Sequence, residues 1–218
     1  DFSPDGTTVV FSALSAGVGD IFEIDLATEQ ITNLTNDEFA DYAPLYAPAG
    51  NDILHLARVS GNNKYFTIDR TDGSRTQLTF GTHDDAGGQF IDDHTIVFSS
   101  TALDPEKMLD VDLARNGNIF NIWTLDLRNG QLKQYTDALG GNVSPVTLKR
   151  DNPNKNEIVF VTYFKGDYGL HTITPTEPLS TVASNDFGSP GPIIDFRAPL
   201  THTLVANNSR KKGTFENI

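Results

Sequence analysis

The sequence predicts an all-β fold, a β-propeller of four-stranded antiparallel blades, with about four to five blades present and the ring incomplete. Three observations carry this expectation. A set of residue types returns every 44 positions, the segments between the returns are strand-like, and tight-turn residues rather than helical connections join them.

The repeat is read directly. Phe2-Ser3-Pro4-Asp5-Gly6 aligned on Tyr46-Ala47-Pro48-Ala49-Gly50 sets the shift at 44. The same shift lays Val9, Phe22, Ile24, Leu34 and Thr35 on Ile53, Phe66, Ile68, Leu78 and Thr79. A third copy runs from Phe90 through Ile96-Val97-Phe98 to Trp123, Leu125, Tyr135 and Thr136, once 13 extra residues at about 103–118 are allowed. A fourth holds Ile158-Val159-Phe160-Val161 and Leu170 to Ile173, and a fifth begins near Ile193 and reaches Phe215. The repeat units are about 1–39, 40–83, 84–140, 141–184 and 185–218.

Within a unit, β-branched and aromatic residues alternate or cluster over short runs, as in Thr8 to Ser12, Asp20 to Leu26 and Gln30 to Thr35. A fourth strand precedes each turn, in Ala40 to Tyr46 and Gly141 to Leu148. Pro4 presets the backbone at the second position of a tight turn, and Asp5 and Gly6 suit the positions after it, so the turn joins antiparallel strands. Four antiparallel strands recurring at this period are the signature of a propeller blade.

These residues resemble a known family. Phe2-Ser3-Pro4-Asp5-Gly6, the strand Asp20-Ile21-Phe22-Glu23-Ile24-Asp25-Leu26, and the Leu34-Thr35 and Leu78-Thr79 endings are similar to the WD-like repeats of TolB-type β-propellers. They also resemble repeats in the propellers of the prolyl oligopeptidase family. The resemblance implies the fold across the chain, weakening after about residue 165. It implies function less specifically, because such repeats serve assembly factors, peptidase gates and exported surface proteins alike.

Composition excludes several classes. Hydrophobic residues at 38% are too many for disorder, and 18 glycines with 11 prolines punctuate the chain too often for a helical bundle. Sixteen basic against 29 acidic residues give a net charge of −13, which repels phosphate backbones, so nucleic acid is excluded as a partner. Zero cysteines exclude disulfides, thiolate nucleophiles and cysteine-bound zinc. No apolar run approaches the ~18 residues of a membrane helix. Asp1-Phe2-Ser3-Pro4 has neither an initiator Met nor a signal-peptide pattern. The first unit lacks its leading strand and the last stops within its third, which predicts a fragment of a larger protein with further domains attached. A blade face of roughly 400 Å² left bare forgoes about 10 kcal/mol.

The search for chemistry yields no Gly-x-Ser-x-Gly elbow, His-Glu-x-x-His or phosphate-binding loop, and no catalytic residue is assigned. His55 sits inside a predicted strand and reads as a packed residue. Asp41, Asp85, Asn142 and, within one residue, Asp186 recur at one place ahead of successive inner strands. Either each caps its own loop, or together they ring one mouth of the channel and attract a basic partner or calcium. His83-Asp84-Asp85 makes the second unit the most polar at this mouth.

The surplus at 103–118 predicts a recognition loop, with Asp104 and Pro105 opening a helical turn and Asp110, Asp112, Arg115 and Asn116 as candidate contacts. The spacing of Asp110 and Asp112 resembles a calcium loop without its remaining ligands. Up to Asp112 the chain has 20 acidic and 5 basic residues, and after it 9 and 11, an acidic arc suited to a cationic partner or to solubility. The functional expectation is a non-catalytic scaffold propeller of a bacterial envelope or exported protein, periplasmic, outer-membrane-associated or extracellular. It binds protein, peptide or glycan through loops on one face. The alternative is the gating propeller of a serine peptidase whose catalytic domain lies outside this chain.

Overall fold

The computed structural model describes residues 1–105, 119–149 and 156–191. Its strands form four antiparallel sheets. The first holds β1 (Thr8–Ser15), β2 (Val18–Asp25) and β3 (Ile31–Asn33). The second holds β4 (Asp41–Tyr46), β5 (Asp52–Val59), β6 (Asn62–Asp69) and β7 (Arg75–Gln77). The third is built on β8 (Asp85–Phe90), β9 (Thr95–Ser100), β10 (Asn121–Asp126) and β11 (Gln131–Gln134). The fourth holds β12 (Asn142–Leu148), β13 (Glu157–Phe164) and β14 (Asp167–Ile173). The four sheets fall within the first four repeat units, and the fifth, from about Ile193, lies outside the described residues.

The sheets depart from four described strands at two places. Ahead of β1 the leading strand is reduced to a single bridge, Phe2 to Val9. At the other end, β15 (Ser180–Ala183), which the repeat places in unit 141–184, leaves the fourth sheet and pairs antiparallel with β11. Leu132 lies opposite Val182, and both join the apolar layer between the second and third sheets, so the move buries Val182.

The turns are specified as expected. Gly6 N–H donates to Ser3 O at 2.9 Å and Gly50 N–H to Ala47 O at 2.8 Å, each glycine at positive φ. Asp5 accepts from Ser3 and Thr7, and the Ser3 hydroxyl above all pulls its carboxyl down to about 2. Each inner strand carries a bulge at one repeated place. The register slips between Tyr42 and Leu45, Ala86 and Gln89, and Val143 and Val146, with Ala43, Gly87 and Ser144 at positive φ. Pro44 and Pro145 sit in these bulges, where a missing N–H is tolerated. Gly88 replaces them in the third blade, where a Cβ would collide with the Tyr65 hydroxyl.

Apolar layers between sheets hold the blades together. Val10 and Ile21 meet Tyr46, Ile53 and Ile68; Leu54, Leu56 and Tyr65 meet Ile96, Phe98, Trp123 and Leu125; Val97 and Ile122 meet Ile158 and Phe160. Each fully buried side chain of this size contributes ~1.5–3 kcal/mol. The outward face of the fourth sheet is bare. Leu170 is 76% exposed, whereas its counterparts Ile21, Tyr65 and Ile122 are 0%, 2% and 0% exposed.

One turn is strained. Glu29 stands at φ 59°, in the place that later blades give to Gly73 and Gly130. Replacing Glu29 with Gly should raise stability by about 1 kcal/mol, because a side chain in the left-handed region costs roughly that much. An unchanged or lower urea midpoint in Glu29→Gly would contradict this.

Candidate functional site

The periodic polar residues form three buried clasps, one at each blade boundary. Every clasp starts from a backbone N–H of the blade's third strand: Ile21 donates to the Thr35 hydroxyl at 2.9 Å, Tyr65 to Thr79 at 2.9 Å and Ile122 to Thr136 at 2.8 Å. The residue before each donor, Asp20, Lys64 or Asn121, comes toward the first residue of the next inner strand, Asp41, Asp85 or Asn142. The sequence separation is the same in all three, 20 to 41, 64 to 85 and 121 to 142. All six side chains belong to buried residues.

The chemistry of the clasps differs. At the third boundary two amides suffice: Asn121 Oδ1 accepts from Thr136 at 3.0 Å and from Asn142 Nδ2 at 3.3 Å, while Thr162 donates to Asn142 Oδ1 at 2.8 Å. At the second, a cation faces an acid. Lys64 Nζ lies 3.6 Å from Asp85 Oδ2 and also donates to the His83 carbonyl, while Thr79 and Ser100 each donate to Asp85 at 2.7 Å.

At the first boundary both positions are acidic. Asn33 donates to Asp20 at 2.9 Å, and burial raises the Asp20 carboxyl, with the Asp41 charge adding to the rise. Arg75 supplies the missing cation, donating to Asp41 Oδ1 at 3.0 Å and pairing with Asp37. Its guanidinium lies 5.2 Å over the Phe66 ring, and His55 sits 3.4 Å from the Asp41 carboxylate. Uncompensated burial of such charges costs several kcal/mol, so each acid brings its own partners.

The expected residues are therefore dispersed. Asp41, Asp85 and Asn142 are 1%, 0% and 3% exposed and belong to separate boundaries; they do not line an open mouth together. Among the described residues no three His, Cys, Asp or Glu side chains are placed to hold one metal ion. Asp84 accepts the Asn63 N–H at 2.8 Å. Asp186 lies in a 3-10 turn, Ser184–Phe187, where it accepts the Ala183 N–H at 3.0 Å, so it does not repeat the place of Asp41 and Asp85. That follows from the departure of β15 to the third sheet. Asp104 accepts from the Ser180 hydroxyl. Asp110, Asp112, Arg115 and Asn116 lie outside the described residues.

His83 is the most perturbed base. Its Nε2 lies 3.5 Å from Asp85 and its ring meets the edge of Phe187 at 4.9 Å. Burial pushes the imidazole down to about 4, the Asp85 carboxylate opposing and the Lys64 ammonium adding to the fall.

A different region offers an open surface. Among the described residues the fourth sheet ends at β14, and a cleft of about 280 Å³ lies between the outer part of the third sheet and Pro175. Thr124, Lys133 and Tyr135 line it, with Asp126 and Arg128 at one end. Arg128 grips Asp126 with two bonds of 3.0 and 2.7 Å, and this holds the carboxyl down at about 2. Among the described residues no carboxylate lies within 4.0 Å of the Lys133 ammonium. The cleft combines a free cation, hydroxyls and an aromatic ring. No motif marks these residues in the sequence, since they come together only across β9, β10, β11 and the Pro175 segment.

Two outcomes test the clasps. Lys64→Met should cost ~3–5 kcal/mol by leaving Asp85 buried without its cation. The double variant Lys64→Asn/Asp85→Asn, which copies the third boundary, should recover most of it in urea unfolding; recovery of none would sink the equivalence. For His83, the folded value of about 4 lies below the ~6.5 of an unfolded chain. Unfolding therefore takes up a proton between those values, and stability should fall by on the order of 3 kcal/mol as pH drops from about 6.5 to about 4. His83→Gln should flatten that slope, and an unchanged slope would contradict the assignment.

Comparison with known proteins bears on the fold. No protein-family model matches the chain. It is 23% identical over 171 residues to an uncharacterized protein, Atu1656, of Agrobacterium fabrum, covering 75% of this chain and 54% of that one. The chain thus spans about half the length of this curated relative. The structure of a putative TolB from Agrobacterium tumefaciens superposes with a TM-score of 0.61 at 18% identity, covering 89% of this chain and 62% of that chain. The β-propeller domain of the trilobed protease from Pyrococcus furiosus gives 0.51 at 13% identity, covering 81% and 53%. With the repeat and the four sheets, these likenesses make the fold that of a TolB-like β-propeller.

Proposed function

We propose that this chain is a non-catalytic binding and scaffolding propeller of a larger bacterial envelope or exported protein, and that it takes a protein or peptide partner in the cleft beside β14. The observation that carries this reading is how the polar groups divide. The periodic buried acids and amides, Asp20, Asp41, Asp85, Asn121 and Asn142, are committed to the blade clasps, while Lys133 lines an open cleft without a carboxylate partner among the described residues. Desolvated partner charge gains most where a cation has no competing internal acid.

A second reading, the gating propeller of a serine peptidase, is favoured by the fold likeness to the trilobed protease propeller. Under it, the nucleophile lies in sequence outside this chain.

A photo-crosslinking residue at Gln131, on the cleft, tests the binding reading against one at Asp72, on an exposed turn of the second blade. In producing cells the whole protein should give a discrete adduct from Gln131 and none from Asp72. Equal labelling from both, or peptide turnover by this chain alone, would overturn it.

A further inference from the structure

The outer edge of β14 pairs with no other described strand. Among the described outer strands this one is the longest. The outermost strands of the first two sheets, β3 and β7, are three residues long and that of the third, β15, is four; β14 is seven residues long. Proteins keep open edges short or shielded because a row of unpaired N–H and C=O groups recruits another strand.

The strand that the repeat assigns to this edge is held elsewhere. β15 is fixed on the third sheet by its ladder with β11 and by the Leu179 N–H to Gln134 O bond at 2.7 Å. Beyond it, Ser184 N–H donates to Gly130 O at 2.8 Å, and the Ser180 and Ser184 hydroxyls bond Asp104 and the Leu78 carbonyl.

The two faces beside the edge differ in chemistry. Ile173 packs into the layer with Val97 and Ile122, and His171 stacks on Phe160 at 6.2 Å, so alternate β14 residues face the third sheet. Leu170 and Tyr168 face away, 76% and 75% exposed, with the Tyr163 ring 5.0 Å from Tyr168. Neighbours across a ladder share a face. A strand added outside β14 therefore places alternate side chains over the cleft that Lys133 and Tyr135 line, and the others beside Leu170 and Tyr168.

We propose that β14 receives an extended acidic peptide of a partner protein as a fourth, antiparallel strand, with carboxylates turned into the cleft toward Lys133 and apolar side chains turned outward. This deepens the binding reading above and rests on it. Main-chain bonds to the edge supply affinity and the cleft supplies the choice of side chain. The charge argument selects acid: Arg128 is already shared with Asp126, and Lys133 leaves the lining net positive in a chain of net charge −13.

The test uses a fluorescein-labelled seven-residue peptide alternating glutamate and valine, titrated against the whole protein and read by anisotropy. Saturable binding is expected. It should weaken by about tenfold in Lys133→Glu and be regained there by the lysine-for-glutamate peptide. N-methylation of alternate peptide amides, made in both registers, should abolish binding in one register, because an N-methyl removes a ladder donor. Binding indifferent to N-methylation in both registers would overturn strand addition while leaving a cleft that binds side chains. Absence of binding, including through prior occupation of the edge by the protein's own chain or a second copy, would also overturn it. Neither result bears on a Gln131 adduct, so the two readings fail separately.

Discussion

The structure depends on one arrangement, the burial of a polar side chain at the start of each inner strand together with a partner from the blade before. A propeller has no single core. Its apolar layers lie between neighbouring sheets, and such layers fix distance better than they fix rotation or register. The clasp adds direction. A third-strand N–H, a threonine hydroxyl and a pair of facing side chains tie the end of one blade to the beginning of the next. Because the hydroxyl and N–H terms are constant, the facing pair is free to vary between two amides, a lysine with an acid, and two acids served by Arg75, provided charge is balanced within reach.

This division of labour shapes what is left for function. Acids that look in sequence like a ligand ring are structural once folded, and solvent-facing chemistry shifts to the outer side of the third and fourth sheets. There the fourth sheet has three described strands, because residues 180–183 complete its neighbour instead. The exchange buries Val182 and leaves β14 without a described neighbour on its outer side, so the packing of one boundary bears on the next.

Much of the fold was legible because propeller repeats are periodic. Pro-x-Gly turns, the Leu-Thr endings and β-branched runs return with fixed spacing, and the turns at Gly6 and Gly50 form as those residues require. The strand before each turn was legible to within a residue, expected from Ala40 and Gly141 and found from Asp41 and Asn142. What escaped was anything decided between blades. The partnership of Asp20, Lys64 and Asn121 with the following acid or amide hides behind three different residue types, and only their constant separation betrays it. The place of β15 escaped for a related reason: local pattern says strand, but which edge it joins is settled by where Val182 finds an apolar layer. The cleft was illegible because its lining gains meaning only from that choice.

The most direct measurement of the central claim is native-state amide hydrogen exchange at Ile21, Tyr65 and Ile122, the three N–H groups that donate to clasp threonines. If the clasps lock the blade boundaries, these amides exchange only through the largest opening of the molecule, and all three with the same free energy. Exchange of any of them by local opening, at rates typical of the exposed turns, would show that the boundaries are held by apolar packing alone and that the clasps are incidental to it.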